Sequence, residues 1–192
     1  MKPIFILLTS ALIALVSSCA SSSSDYAKFT QRKDYKKTYD VYKDDTALAY
    51  ASSSNTRLVV DISDQRIKLK EGDKVLMDAP CTTGKSGKST PKGTYSITQR
   101  TINKRSTIFG SCYKHGRKVC GGDRRKCRRS YNKYVGAPLP YWMRLGSSSN
   151  GIHYSKYVKR YPGSNGCVRV PLSIAKTLYN NTVRGTRVTV EQ

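Results

Sequence analysis

Hydrophobic residues follow different rules in successive parts of this chain. From Ile4 to Val16 they are nearly continuous. That run is too short to span a bilayer as a helix and has the length of a secretory-signal core. After the polyserine of Ser21 to Ser24, the chain is charged and tyrosine-rich as far as Tyr50. Tyr35, Tyr39 and Tyr42 fall at i, i+4 and i+7, the spacing of a short amphipathic helix. The segment has little else to bury, so an extended tether is expected. From Arg57 the pattern changes to that of strands. Leu58 to Ile62 predicts one, and Arg66-Ile67-Lys68-Leu69-Lys70 alternates as a half-buried second. Glu71-Gly72-Asp73 is a hairpin turn, with a return strand from Lys74 to Ala79. Gly93 to Gln99, Tyr141 to Leu145, Ile152-His153 and Arg187 to Val190 complete the strand set. Pro171 suits the first turn of a helix whose stripe is Leu172, Ala175, Leu178 and Tyr179. The expected fold is mainly β, a sandwich or barrel with one or two short helices.

One stretch, from Thr101 to Lys133, fits no strand pattern. It is poor in apolar residues, dense in Lys and Arg, and holds Cys112, Cys120 and Cys127. It reads as a basic, cysteine-containing insertion or lid. The whole chain carries a formal net charge of +23. Nucleic acid is the usual partner of such a balance, but export argues against it and no nucleic-acid-binding motif is present. Val16-Ser17-Ser18-Cys19 resembles the lipobox of bacterial lipoprotein signals, which implies a diacylated Cys19 at the mature N-terminus. Cys19 aside, five cysteines remain. In an oxidising compartment two disulfides among Cys81, Cys112, Cys120 and Cys127 are expected, with Cys167 left free. A zinc site at Cys112, His115, Cys120 and Cys127 is the lesser alternative. Gly84-Lys85-Ser86 lacks the spacing and following helix of a phosphate-binding loop.

A free thiol outside the cell needs a chemical reason, and the residues around Cys167 supply one. Gly151-Ile152-His153-Tyr154 is followed by Ser164-Asn165-Gly166-Cys167-Val168-Arg169. An imidazole can take the thiol proton and return it to a leaving amine. Gly166 allows close backbone approach, and the amides of Gly166 and Cys167 can face a developing oxyanion. In an extended Cys167 to Arg169 segment the guanidinium lies on the same face as the thiol, where it favours thiolate and can clamp a carboxylate.

These residues resemble the box of the L,D-transpeptidase (YkuD-like) catalytic domain, a histidine element followed by Ser-His-Gly-Cys-Ile/Val-Arg. The likeness extends to Val60-Asp61-Ile62 through Leu69, to Thr83-Gly84-Lys85 with Thr90-Pro91-Lys92-Gly93-Thr94-Tyr95, and to Gly185-Thr186-Arg187-Val188. It implies Cys167 as nucleophile and His153 as acid/base, with the Tyr154 carbonyl orienting the imidazole. It also implies an oxyanion hole at Gly166 and Cys167, and substrate binding by Arg169 and Ser164. Two positions depart from the pattern: Asn165 stands where the box has histidine, and Tyr154 where glycine often follows the first histidine. Asn165 can still donate and accept hydrogen bonds, and His153 is left as the only candidate base.

The expected organisation is a lipoprotein signal peptide at 1–18, a lipid anchor and Ser/Tyr/Lys-rich tether at 19–56, and the catalytic domain at 57–192, with 101–133 as the insertion. The resemblance implies an acyl-enzyme formed from a stem tetrapeptide of peptidoglycan with loss of D-alanine, then transfer to an amine. Hydrolysis of the same bond, or a basic wall-binding lipoprotein without turnover, are the alternatives. Neither metal nor cofactor is expected. The expected partners are peptidoglycan stem peptides, anionic envelope polymers or lipid headgroups, and a membrane reached through the lipid anchor. The expected location is the cell envelope, facing the periplasm. With Ala20 rather than aspartate after Cys19, the default in a Gram-negative host is the outer membrane.

Overall fold

The computed structural model describes residues 17–192. The signal-peptide reading falls almost wholly outside the described residues, and so does the side chain of Cys19. The chain forms two compact units, divided between Tyr35 and Lys36. The first contains helix α1 (Ser17–Thr30), whose Phe29 meets Tyr35 edge to face at 5.6 Å.

The second unit is built on one mixed, open sheet. Its strands are β1 (Tyr42–Lys43), β2 (Thr56–Asp61), β3 (Arg66–Glu71), β4 (Lys74–Pro80), β5 (Gly93–Lys114), β6 (Arg117–Asp123), β7 (Lys133–Leu145), β8 (Gly151–Tyr154), β9 (Val168–Val170) and β10 (Arg187–Glu191). The order is β1-β4-β3-β2-β10-β5-β7-β8-β9, with β6 on the far part of β5. Only β10 with β2 and β8 with β9 run parallel among these pairs. Bridges from Thr82 to Arg169 and from Gly84 to Ser164 tie the chain leaving β4 to the β9 side.

Alternation works as it should in β2, where Leu58 and Val60 are buried, and in β10, where Val188 and Val190 are. These meet Ile67, Leu69, Leu76 and Met77 to make the core. Helix α3 (Leu172–Asn180) buries Ile174, Ala175 and Leu178. Leu172, expected in its stripe, is exposed because the helix begins there with Pro171 as its cap. The helix packs on β7 and β8 and so braces the strand that carries His153.

Three expectations are corrected. Residues 36–50 are not a free tether, nor does a helix run through Tyr35, Tyr39 and Tyr42. Instead, β1 pairs with β4 through Tyr42–Asp78 and Lys43–Met77, and α2 (Asp45–Tyr50) follows with Asp44 as its cap. Arg66, which alternation places toward solvent, is fully buried. Its Nε donates to Asp78 at 2.6 Å, and its guanidinium also reaches the Asp40 and Asp78 carbonyls. The docked 36–50 segment makes that burial possible by covering the outer face of the hairpin. Finally, the basic insertion at 101–133 is not a free lid: most of it is sheet, in which β5 runs on to Lys114 and is flanked by β6 and β7. Its polar ladder needs little apolar area because backbone pairing on both sides of β5 holds it.

Candidate active site

The geometry follows from the parallel pairing of β8 and β9. Ile152 is the partner of Val168, and His153 the partner of Arg169. Side chains of paired residues share a face, and so do those of residues two apart. Cys167, one position before β9, therefore lies on the same face as Arg169 and His153. All three line a cleft of about 640 Å³. Opposite Cys167 stands Gly151, where a Cβ would come within 2.7 Å of the Trp142 ring.

His153 is 5 % exposed, and its Nδ1 lies 2.7 Å from the Tyr154 carbonyl. A carbonyl oxygen only accepts, so Nδ1 carries the proton and Nε2 keeps its lone pair. Burial pushes the imidazole from 6.5 down to about 4, opposed by the Tyr154 bond and assisted by the Arg169 charge. Burial also raises the Cys167 thiol above its ordinary value. A hydrogen bond from the Gly151 backbone and the Arg169 charge pull the other way without prevailing. The resting site thus holds a neutral thiol and a neutral imidazole on one face of the sheet. Arg169 favours thiolate, as the sequence implied, but burial is the larger effect.

The loop before β9 assigns its polar groups differently from expectation. The Ser164 hydroxyl accepts from the Gly166 amide at 3.0 Å and donates to the Cys167 carbonyl at 2.5 Å. Its single proton is engaged inside the loop, so the Ser164 hydroxyl shapes the turn that precedes Cys167. The Gly166 amide, expected in the oxyanion hole, is likewise occupied. The Gly166 carbonyl accepts from Thr90 at 2.9 Å. In a trans peptide the next N–H points the opposite way, which turns the Cys167 amide away from Thr90. Gly166 sits at φ +108°, a conformation that favours glycine. Asn165 is exposed on the cleft rim.

Trp142 was not singled out by sequence reasoning. It is 4 % exposed, and its ring centroid lies 6.1 Å from that of His153 at a tilt of 35°. Its indole nitrogen is buried with no hydrogen-bond partner among the described residues. Tyr141, just before it, adopts φ +57° inside a strand, a strained conformation for a tyrosine. The available signal was that Trp142 is the chain's single tryptophan, set one strand before the histidine.

The opposite wall comes from the segment expected as a lid. The β5–β7 register shifts between Arg105 and Gly110, which bulges residues 106–109 out of the ladder. Ile108 and Phe109 then line the cleft with Pro138, Leu139 and Pro140 of β7. The cysteines are also resolved. Cys120 and Cys127 form a disulfide, whereas Cys81 and Cys112 are free and buried. The second expected disulfide is not formed: Cys81 sits in the hydrophobic core, where burial raises its thiol to about 12. Among the described residues no group of His, Cys, Asp or Glu is arranged to hold a metal.

A model of the L,D-transpeptidase catalytic domain matches residues 55–190. Comparison with curated proteins gives no match. Among solved structures, an L,D-transpeptidase from Mycobacterium smegmatis is similar at 16% identity and TM-score 0.56, covering 72% of this chain and 59% of that one. One from Stackebrandtia nassauensis gives 20% identity and TM-score 0.55, with 88% and 65% covered. The catalytic domain of the E. faecium enzyme gives 24% and 0.51, with 72% and 98% covered. The chain thus spans about three fifths of the first two structures. At these identities the likeness is one of fold.

Proposed function

The chain belongs to the L,D-transpeptidase catalytic domain family, and from that premise we propose that it is a cysteine acyltransferase acting on peptidoglycan stem tetrapeptides. As Cys167 attacks the carbonyl before the terminal D-alanine, Nε2 of His153 takes the Sγ proton. The new oxyanion is held by the Cys167 amide. Collapse of the tetrahedral adduct breaks the C–N bond, and His153 returns the proton to the departing D-alanine amine. A thioester remains on Cys167. An acceptor amine then attacks it, loses its proton to His153, and releases the thiol. Arg169, partly buried beside the thiol, is suited to hold a substrate carboxylate bidentately.

The observation that carries this reading is the Nδ1 bond of His153 to the Tyr154 carbonyl, which leaves a base nitrogen on the face shared with Cys167. We place the protein in the cell envelope, anchored through Cys19, on the apolar run from Ile4 to Val16 and the Ser17-Ser18-Cys19 that follows it.

The test is to incubate the full-length chain with a tetrapeptide muropeptide and weigh the products. Dimers joined between two third residues, with D-alanine released, are expected. Tripeptides without dimers would make water the acceptor. Unchanged substrate would overturn the reading.

A further inference from the structure

Asp123 is the only acidic residue between Asp78 and Glu191. Its carboxylate is already neutralised locally, accepting from Arg125 Nε at 2.9 Å and from Nη2 at 2.7 Å. Around it, from Lys104 to Lys133, the chain carries eleven Lys or Arg residues. Arg117, Lys118, Lys126, Arg128 and Arg129 are all exposed. Like charges at this density repel one another, so a stretch this poor in apolar residues needs an external frame to hold it. The fold supplies one: β6, β5 and β7 form a three-stranded arm. The Cys120–Cys127 disulfide pins the 3-10 turn Arg124–Lys126 to β6. Arg124 lies over the Tyr134 ring at 5.0 Å.

Resting on the acyltransferase reading, we infer that this arm is an exosite for polymeric peptidoglycan, separate from the cleft. Its strands are the same β5 and β7 whose bulge and Pro138–Pro140 segment wall the cleft. A strand of substrate held along the arm is therefore delivered to Cys167 without a second encounter. Peptidoglycan suits it because each stem peptide repeats free carboxylates along the glycan, and guanidinium groups bind carboxylates in pairs. Many weak contacts along one polymer raise the local concentration of stems at the cleft. A soluble muropeptide offers no such array and gains nothing from the arm. The continuity with the cleft wall favours the enzyme's own polymer over an anionic lipid surface.

The experiment compares the full-length chain with the variant R117Q/K118Q/K126Q/R128Q/R129Q, which leaves Asp123–Arg125, Arg124–Tyr134 and the disulfide intact. Turnover is measured on soluble tetrapeptide and on isolated sacculi, at low salt and at 0.5 M salt, where exposed charges are screened to roughly 4 Å. Co-sedimentation with sacculi and with phosphatidylglycerol vesicles is measured in parallel. KM on sacculi should rise on the order of tenfold in the variant, with high salt producing the same rise in the parent chain. Kinetics on soluble tetrapeptide should stay within about twofold. Equal losses on both substrates, or no loss on sacculi, would overturn the exosite. So would arm-dependent sedimentation with the vesicles but not with sacculi. If tetrapeptide is not turned over at all, the acyltransferase reading fails, while sedimentation with sacculi still reads the arm.

Discussion

The buried Thr90 hydroxyl donates to the Gly166 carbonyl at 2.9 Å and accepts from the Gly84 amide at 2.8 Å, joining positions 76 residues apart. Thr90 thereby fixes the plane of the Gly166–Cys167 peptide, and with it the direction of the one amide left to meet an oxyanion. On the proposed acyltransferase reading, it is a positioning residue for the thioester-forming step. Thr90→Val should lower the acylation rate by roughly ten- to a hundredfold, less than loss of an oxyanion donor itself, with KM little changed. Thr90→Ser should restore most of the rate. A parallel fall in Thr90→Ser and Thr90→Val, tracking lost stability, would show a merely structural role.

A second prediction concerns pH. With the imidazole held at about 4 by burial, His153 stays a base well below its ordinary range. The acid limb of kcat/KM should therefore fall near pH 4, and a limb near 6.5 would contradict the buried, neutral pair. The same shift affects stability. Between pH 4 and 6.5 the unfolded chain binds a proton that the native chain does not, so stability declines as pH falls through that window and is level above it. The difference is about 3 kcal/mol. Urea midpoints measured across the window should lose this slope in His153→Gln.

The fully buried Arg66–Asp78 pair gives a third. Asp78→Ala leaves a guanidinium without its carboxylate in the interior and should cost about 3–5 kcal/mol. The double variant Arg66→Met/Asp78→Leu should recover most of that. A double variant as unstable as Asp78→Ala would mean that the pair's hydrogen bonds to the 36–44 segment, such as the one to the Asp40 carbonyl, matter more than the charges do.

The contrast between Arg66 and Leu58 shows where sequence reading stops. Leu58 and Val60 obey a two-residue period because one face of β2 meets the core and the other does not. Arg66 obeys the same period on paper, yet residues far earlier in the chain cover its face, and nothing local announces that. The shared face of Cys167, His153 and Arg169 was legible because His153 and Arg169 pair on adjacent short strands and Cys167 lies two residues before Arg169. Thr90 was visible only as part of a motif, since its role depends on a contact across 76 positions. The amide of Gly166 was misassigned because Ser164, two residues before it, captures that amide, a choice that only the turn geometry reveals. The stretch from Thr101 to Lys133 lacked hydrophobic periodicity because backbone ladders order it, and a ladder leaves little trace in side-chain pattern.

Cysteine status makes a fourth prediction. Non-reducing peptide mapping should find Cys120 joined to Cys127, with Cys81 and Cys112 as thiols that alkylate only after unfolding. Closing a loop this short should contribute about 2–3 kcal/mol, so Cys127→Ser should lower stability modestly. Recovery of a Cys81–Cys112 peptide from native protein would contradict the core placement of Cys81.

Intact-mass spectrometry reads the proposed acyl-enzyme on Cys167, with His153 as its base, directly. The probe is a carbapenem, the β-lactam class implied by the family resemblance, added to the full-length chain. One adduct of the acylating compound's mass should appear, mapping to the peptide that contains Cys167. It should be absent in Cys167→Ala and slowed by about a hundredfold or more in His153→Ala. An adduct that persists in Cys167→Ala would rule out Cys167 as the nucleophile, and one formed at the parent rate in His153→Ala would rule out His153 as its base.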